Sequence, residues 1–303
     1  MESLLCSSLR PSTLKQYNHH LKSCFMYVIY NLGVRWITPL NINIIAAFYG
    51  HLFEMGLSYS SIVNYNSAIS YYHKIRGLVD PTNTFYIRKL LQGIHRRKPR
   101  KPGLKPINMA LLKKIVSNLH IISLSKYDIY LYRAIMITMY FGCLRVSEVM
   151  ESAGLLDHTL TVNLIECLVC DGQTIAYKLM LQTFKHNYTQ PFTMKLVKAK
   201  DIVICPVKAL TDYLQIRPNV GGSLFIDENR KGIKRAHFAQ VLKLVLEKLG
   251  IDSGKYNTHS FRIGRTTDMA MGRFSHEKIK ILGRWESDAY RKYIRPTLIE
   301  MIV

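Results

Sequence analysis

The chain is 303 residues long and 48% apolar, with 42 Lys plus Arg against 20 Asp plus Glu and a formal net charge of +22. That length and composition predict a globular protein of two domains, and the charge predicts a polyanionic partner, nucleic acid ahead of an anionic membrane surface. The longest apolar run, Ala134 to Leu144, is too short to span a bilayer, and the opening MESLLCSSLR carries no secretory leader, lipidation signal or Lys-rich amphipathic helix, so a soluble intracellular protein is expected.

The first hundred residues read as a bundle of four helices. Pro11-Ser12-Thr13 offers a cap, and Leu14, Tyr17, Leu21 and Phe25 follow at helical spacing. Further helical stretches are predicted over 41–55, 60–76 and 83–96, separated by Gly56, Gly77 and Asp80-Pro81. Lys15, His19, His20, Lys22, Lys74 and Arg76 fall on the exposed faces, where they serve either as ordinary solvated surface or as phosphate contacts.

HRRKPRKPGLKP, residues 95–106, interleaves cations and prolines so densely that neither helix nor strand is expected to persist. It marks the boundary between a helical DNA-binding domain (1–97), a basic linker (98–106) and a second domain (107–303). Arg96, Arg97, Lys98, Arg100 and Lys101 would form a strap across a DNA backbone, although such a run also serves as a plain linker or a nuclear import signal.

Beyond it, helices are predicted over 108–119 and 127–144. From Thr159 to Ile204 the texture becomes β-branched and punctuated: TLTVNLI, TIAYKLML and the stretch around QPFTM predict a small antiparallel sheet with turns at Asp171-Gly172 and His186-Asn187. Helical periodicity returns over 205–217 and 234–250. The expected fold is mainly α with a small antiparallel β-sheet, arranged as a two-domain clamp. The six cysteines are scattered, and the one C-x-x-C (Cys167, Cys170) has no second pair, so no metal site is expected; no Walker loop occurs either.

The chemistry-bearing residues lie in the second domain. GCLRVSE follows a long apolar helix and brings Arg145 with Glu148 three residues on; Lys185 lies at a strand turn. THSFR sets His259 and Arg262 one helical turn apart. LGRWESDAYRKYIRP brings Arg284, Trp285 and two tyrosines, Tyr290 and Tyr293, before Pro296.

These four boxes, in this order, resemble the active-site boxes of the tyrosine recombinases. The resemblance extends over nearly the whole chain, and RPSTLKQY, CPVKALTDYL and the LGRW form look closest to the eukaryotic Crypton and DIRS-like mobile-element branch rather than to bacterial Xer or phage Cre enzymes. It implies that Arg145 and Arg262 clamp the scissile phosphate, that Lys185 is the strand-turn lysine, that His259 stands beside the second arginine, and that Tyr293, ten residues after Gly283, is the nucleophile, with Tyr290 its rival. Where the family usually has His or Trp directly after the glycine, this chain has Arg284 and then Trp285, of which Trp285 is the favoured occupant of that role. Glu148 would brace the site through an Arg or His, or be an ordinary surface carboxylate.

The chemistry independently asks for these residue types. Paired guanidiniums suit the charge that builds on a phosphate under attack, a phenol needs a neighbour to take its proton, and the leaving 5′ oxygen needs a donor. The implied activity is cleavage and rejoining of double-stranded DNA through a 3′-phosphotyrosyl link, with no cofactor, by a tetramer assembled on DNA in the nucleus. The apolar tail TLIEMIV would dock on a neighbouring subunit or on its own domain. A type IB topoisomerase, and a recombinase-derived DNA-binding protein that no longer cleaves, are the alternatives.

Overall fold

The computed structural model describes residues 8–98, 103–151, 159–182 and 190–298. The chain divides into two compact units, Met1–Gly103 and Leu104–Val303.

Among the described residues the first unit is built on four α-helices: α1 Pro11–Met26, α2 Ile42–Glu54, α3 Tyr59–Ile75 and α4 Phe85–Arg97. Asn41, Ser58 and Thr84 cap the last three with side-chain oxygens that accept from early backbone amides. Gly56 and Gly77 follow α2 and α3 with φ of 87° and 67°, the left-handed conformation that ends a helix at least cost on glycine. Val28, Ile45, Phe48, Tyr49, Leu52, Ile62, Ile69, Ile87 and Ile94 form the core. The candidate surface cations are not uniformly solvated: Lys74 pairs with Asp80 at 3.1 Å, Arg76 lies over Tyr72 at 3.9 Å, and His20 packs on Tyr65 with ring centres 4.0 Å apart.

The basic run departs from the expectation that no helix persists in it. α4 continues through His95, Arg96 and Arg97, because its buried stripe runs on to Ile94 and cations in a last turn complement the helix dipole. Lys98 then donates from Nζ to the Phe53 carbonyl at 2.8 Å and lies over the Phe53 ring at 4.5 Å. Arg100 and Lys101 lie outside the described residues.

The second unit holds α5 Met109–Ser117, α6 Lys126–Phe141, the single turn α7 Val146–Val149, α8 Pro206–Ile216, α9 Arg235–Lys248, α10 Ser260–Met271 and α11 His276–Gly283. α6 is buried from Leu131 to Tyr140 with little interruption, which makes it the spine of this core. Three antiparallel strands lie in the order β1 Ile165–Cys170, β2 Gln173–Leu181 and β3 Phe192–Val197. Tyr177, Leu179, Leu181, Met194 and Leu196 point from the sheet into the core.

The first strand begins later than TLTVNLI predicts. Thr161 bridges to Ser223 instead, Val162–Leu164 is a 3-10 turn, and pairing starts with Ile165 opposite Leu179. The turn at Asp171-Gly172 is present, both residues having positive φ, as a tight hairpin of this twist requires. The second turn, at His186-Asn187, lies outside the described residues, as does Lys185. Pro296 does not end a helix carrying Tyr293: that residue closes a 3-10 helix, Asp288–Tyr293, and Pro296 opens another, Pro296–Leu298. The tail from 299 on lies outside the described residues.

Leu104–Pro106, the end of the expected linker, is laid into this unit together with Ile107. Lys105 N donates to Lys255 O at 2.8 Å and Ile107 N to Ser260 O at 3.0 Å. The Ile107 carbonyl presses so close to Gly264 of α10 that a Cβ there would lie 1.7 Å from it, so only glycine fits.

Candidate active site

Four segments converge on one cluster of side chains: the turn from α6 into α7, the N-terminus of α10, the end of α11, and the 3-10 helix carrying Tyr293. The first turns sharply because Cys143 takes φ 48°, which aims its carbonyl inward and leaves Arg145 as the N-cap of α7. Arg145 then pairs with Glu148 twice over, Nη1 to Oε1 at 2.9 Å and backbone N to Oε2 at 2.7 Å.

Arg262 is wholly buried on α10. Its Nη1 donates to Cys143 O at 2.5 Å and its Nη2 to Gly283 O, while Nε has no partner among the described residues. Burial brings its guanidinium down to about 10, a value at which it keeps its charge at neutral pH. Trp285 covers it, with the guanidinium 4.2 Å from the indole, and Tyr293 lies 5.8 Å away on the same measure.

His259 is the N-cap of α10, just outside the helix, with its ring edge-on to Tyr293 at 5.1 Å. Burial first, then the charges of Arg262, Arg145, Arg295 and Arg235, lowers its imidazole to about 4. A neutral imidazole beside the phenol is a proton acceptor at neutral pH.

Arg284 and Trp285 part company. Arg284 turns inward in the left-handed region, φ 54°, and its Nη2 bonds Glu148 Oε2 at 2.7 Å and Cys143 O at 3.1 Å. Trp285 instead packs on Arg262 and Tyr293. Glu148 is thus held between Arg145 and Arg284, and is buried. Burial alone would raise its carboxyl, but Arg284, Arg145 and Arg262 together hold it below the usual carboxylate range.

The two tyrosines are equally distinct. Tyr290 is fully buried with Met269 and Ile279, its hydroxyl 2.5 Å from His276 Nδ1. Tyr293 is half-buried against His259, Trp285 and Arg262. The site therefore gathers Arg145, His259, Arg262, Trp285 and Tyr293, with Glu148 and Arg284 buried behind them. Sequence reading missed the arginine-to-carbonyl bonds and Asp268, which receives Tyr140 Oη and, at 2.7 Å, Met109 N, tying the back of α10 to α6 and α5. No motif announces such a residue.

No family model and no curated protein matches the sequence. Solved structures do match. The Tn1549 transposon integrase in complex with circular intermediate DNA aligns at TM-score 0.63 and 15% identity over 96% of this chain and 94% of that one. The XerH site-specific recombinase bound to its difH substrate aligns at 0.63 and 14%, covering 94% and 77%. A lambda integrase dimer bound to a COC′ core site aligns at 0.61 and 15%, covering 100% and 77%. At these identities the likeness establishes the fold, which is that of the tyrosine recombinases.

Proposed function

We propose that this chain is a tyrosine recombinase, a site-specific enzyme that cleaves and rejoins double-stranded DNA. The observation that carries the reading is the meeting of Tyr293, His259 and Arg262 under Trp285, with Arg145 alongside, on a fold shared with recombinases and integrases that were solved on DNA. In the proposed step Tyr293 Oη attacks the scissile phosphorus and its proton passes to His259. The bond from phosphorus to the 5′ oxygen breaks, and Lys185 supplies that oxygen with a proton. Arg145 and Arg262 offset the charge gained by the non-bridging oxygens. The 3′-phosphotyrosyl bond conserves the energy of the phosphodiester, so attack by a new 5′ hydroxyl rejoins DNA without a cofactor.

Assembly as a tetramer on DNA, action in the nucleus and descent from the Crypton or DIRS-like mobile elements complete the proposal; the net charge of +22 and the basic run support the DNA partner. One observation favours a second reading, a recombinase-derived DNA-binding protein that no longer cleaves: Arg262 is fully buried, and backbone carbonyls occupy two of its donors.

Capture of a protease-sensitive DNA adduct from genomic DNA, followed by sequencing of the attached ends, tests cleavage and finds the target together. Absence of adduct with tight DNA binding selects the second reading. Joining of two sites, as against relaxation of a supercoiled circle alone, separates a recombinase from a type IB topoisomerase.

A further inference from the structure

We infer that Thr267 is a positioning residue for Tyr293, fastening the nucleophile's main chain to the helix that carries Arg262; the inference rests on the reading of Tyr293 as nucleophile. Thr267 is fully buried on α10. Its neighbour Thr266 spends its hydroxyl in the ordinary helical way, donating to the carbonyl one turn back, Arg262 O, at 2.7 Å. Thr267 does more. Its single proton is shared between Ile263 O at 2.8 Å and Tyr293 O at 3.0 Å, and its oxygen accepts from Arg295 N at 3.1 Å. One hydroxyl thus grips the chain on both sides of Ile294.

The tyrosine segment needs an outside fastening. Tyr293 ends a six-residue 3-10 helix, and the next residue, Ile294, is already extended. A second tie reinforces the first. Arg295 Nη1 donates to Leu104 O at 2.6 Å, and the segment Leu104–Ile107 is itself bonded to Lys255 O and Ser260 O. The peptide that follows Tyr293 is therefore tied to α10 directly through Thr267 and indirectly through Arg295. Since α10 also carries Arg262 and is capped by His259, the Thr267 hydroxyl sets the distance from the phenol to the groups that would hold the phosphate. Chemistry of this kind is steep in that distance: misplacing the attacking atom by about 1 Å costs on the order of a hundredfold.

The test compares Thr267→Val, which keeps the shape without the hydroxyl, with Thr267→Ser, which restores it, and with Thr267→Ala as a second hydroxyl-less variant. Single-turnover adduct formation on a nicked DNA site is measured across DNA concentrations. The Val and Ala variants are expected to form adduct about a hundredfold more slowly at saturating DNA, with the half-saturating concentration unchanged, and Ser to recover most of the rate. A Val variant at the wild-type rate, a Ser variant as slow as Val, or a loss that appears in DNA affinity instead of rate overturns the inference. A wild-type chain that binds DNA but forms no adduct overturns the reading of Tyr293 itself, a result distinct from any of these.

Discussion

Trp285 stacks on Arg262, the guanidinium 4.2 Å from the indole, while the same ring stands edge-on to Tyr293 at 5.0 Å. The packing depends on Gly283, where an added Cβ would lie 1.5 Å from the indole. Gly283→Ala must therefore push the indole off the arginine. Adduct formation is expected to fall by at least about tenfold, with DNA affinity retained, because the indole shields the charge and aligns the phenol. Trp285→Phe should fall between wild type and Trp285→Ala. Unchanged cleavage in Gly283→Ala would leave the indole without a part in the chemistry.

The two tyrosines separate by what they lose. Tyr293→Phe should abolish the covalent adduct and leave stability close to wild type, since the phenol is only half-buried. Tyr290→Phe should keep the adduct and lower the stability by about 0.5–1.5 kcal/mol, the net worth of one hydrogen bond, since the partner His276 is exposed and water can take the place of the lost hydroxyl. Denaturant unfolding and a gel assay on both variants decide it, and the reverse pattern would move the nucleophile to Tyr290.

Arg284 is expected to matter for folding more than for catalysis. It and Glu148 are both buried and joined at 2.7 Å, so Arg284→Ala leaves a buried carboxylate with Arg145 as its main remaining partner, a loss of about 3–5 kcal/mol. Because the Glu148 carboxyl is held below its ordinary range, its share of the stability is present at neutral pH and is lost as acid carries it through the folded value. Arg284→Ala removes the largest charge that holds this carboxyl down, so the acid dependence that Glu148 contributes should flatten in the variant. A variant as stable as wild type would show that Arg145 alone suffices.

Much of this was legible in the sequence because helices announce themselves. The helical spacing from Leu14 to Phe25 and the glycines after α2 and α3 are local signals, and the bundle was read from them; the caps at Asn41, Ser58 and Thr84 became visible only in the structure. The exposed strand Ile165–Cys170 was not legible, since it carries no clean alternation and takes its register from β2. In the site, residue types and order pointed to Arg145, His259, Arg262 and Tyr293. The inward turn of Arg284 was illegible, because it depends on a left-handed backbone and on Glu148 more than a hundred residues away. Thr267 carries no motif either, and its part rests wholly on where the chain returns.

His259 should show its environment in titration. With the imidazole lowered to about 4, the unfolded chain binds a proton near pH 6.5 that the folded chain refuses until about pH 4. Stability contributed at this position is therefore full above pH 6.5 and declines as pH falls toward 4, by no more than about 1.4 kcal/mol per unit. His259→Gln should flatten that part of the stability curve, and the histidine's own NMR titration in the free protein should have its midpoint well below 6. An ordinary midpoint near 6.5 would mean that neither burial nor the surrounding arginines act on it.

The basic run makes a last distinction, between cations that the proposed function would set against DNA and one that serves the fold. Removing a cation that neutralises a phosphate should shallow the dependence of log affinity on log salt by about 0.9. Arg96 and Arg97 lie in the last turn of α4, and Arg96 is exposed, whereas Lys98 is spent on the Phe53 carbonyl and ring. Replacing Arg96, Arg100 and Lys101 by Ala should lower the salt slope with little change in stability. Lys98→Ala should do the opposite, costing about 1 kcal/mol as its charge-assisted bond disappears and leaving the slope nearly as it was. Binding measured from low to moderate salt, beside denaturant unfolding of the same variants, separates the two effects. A slope unchanged by the triple replacement would make the run a linker or an import signal, and a slope that falls with Lys98→Ala would mean that its ammonium leaves Phe53 when DNA arrives.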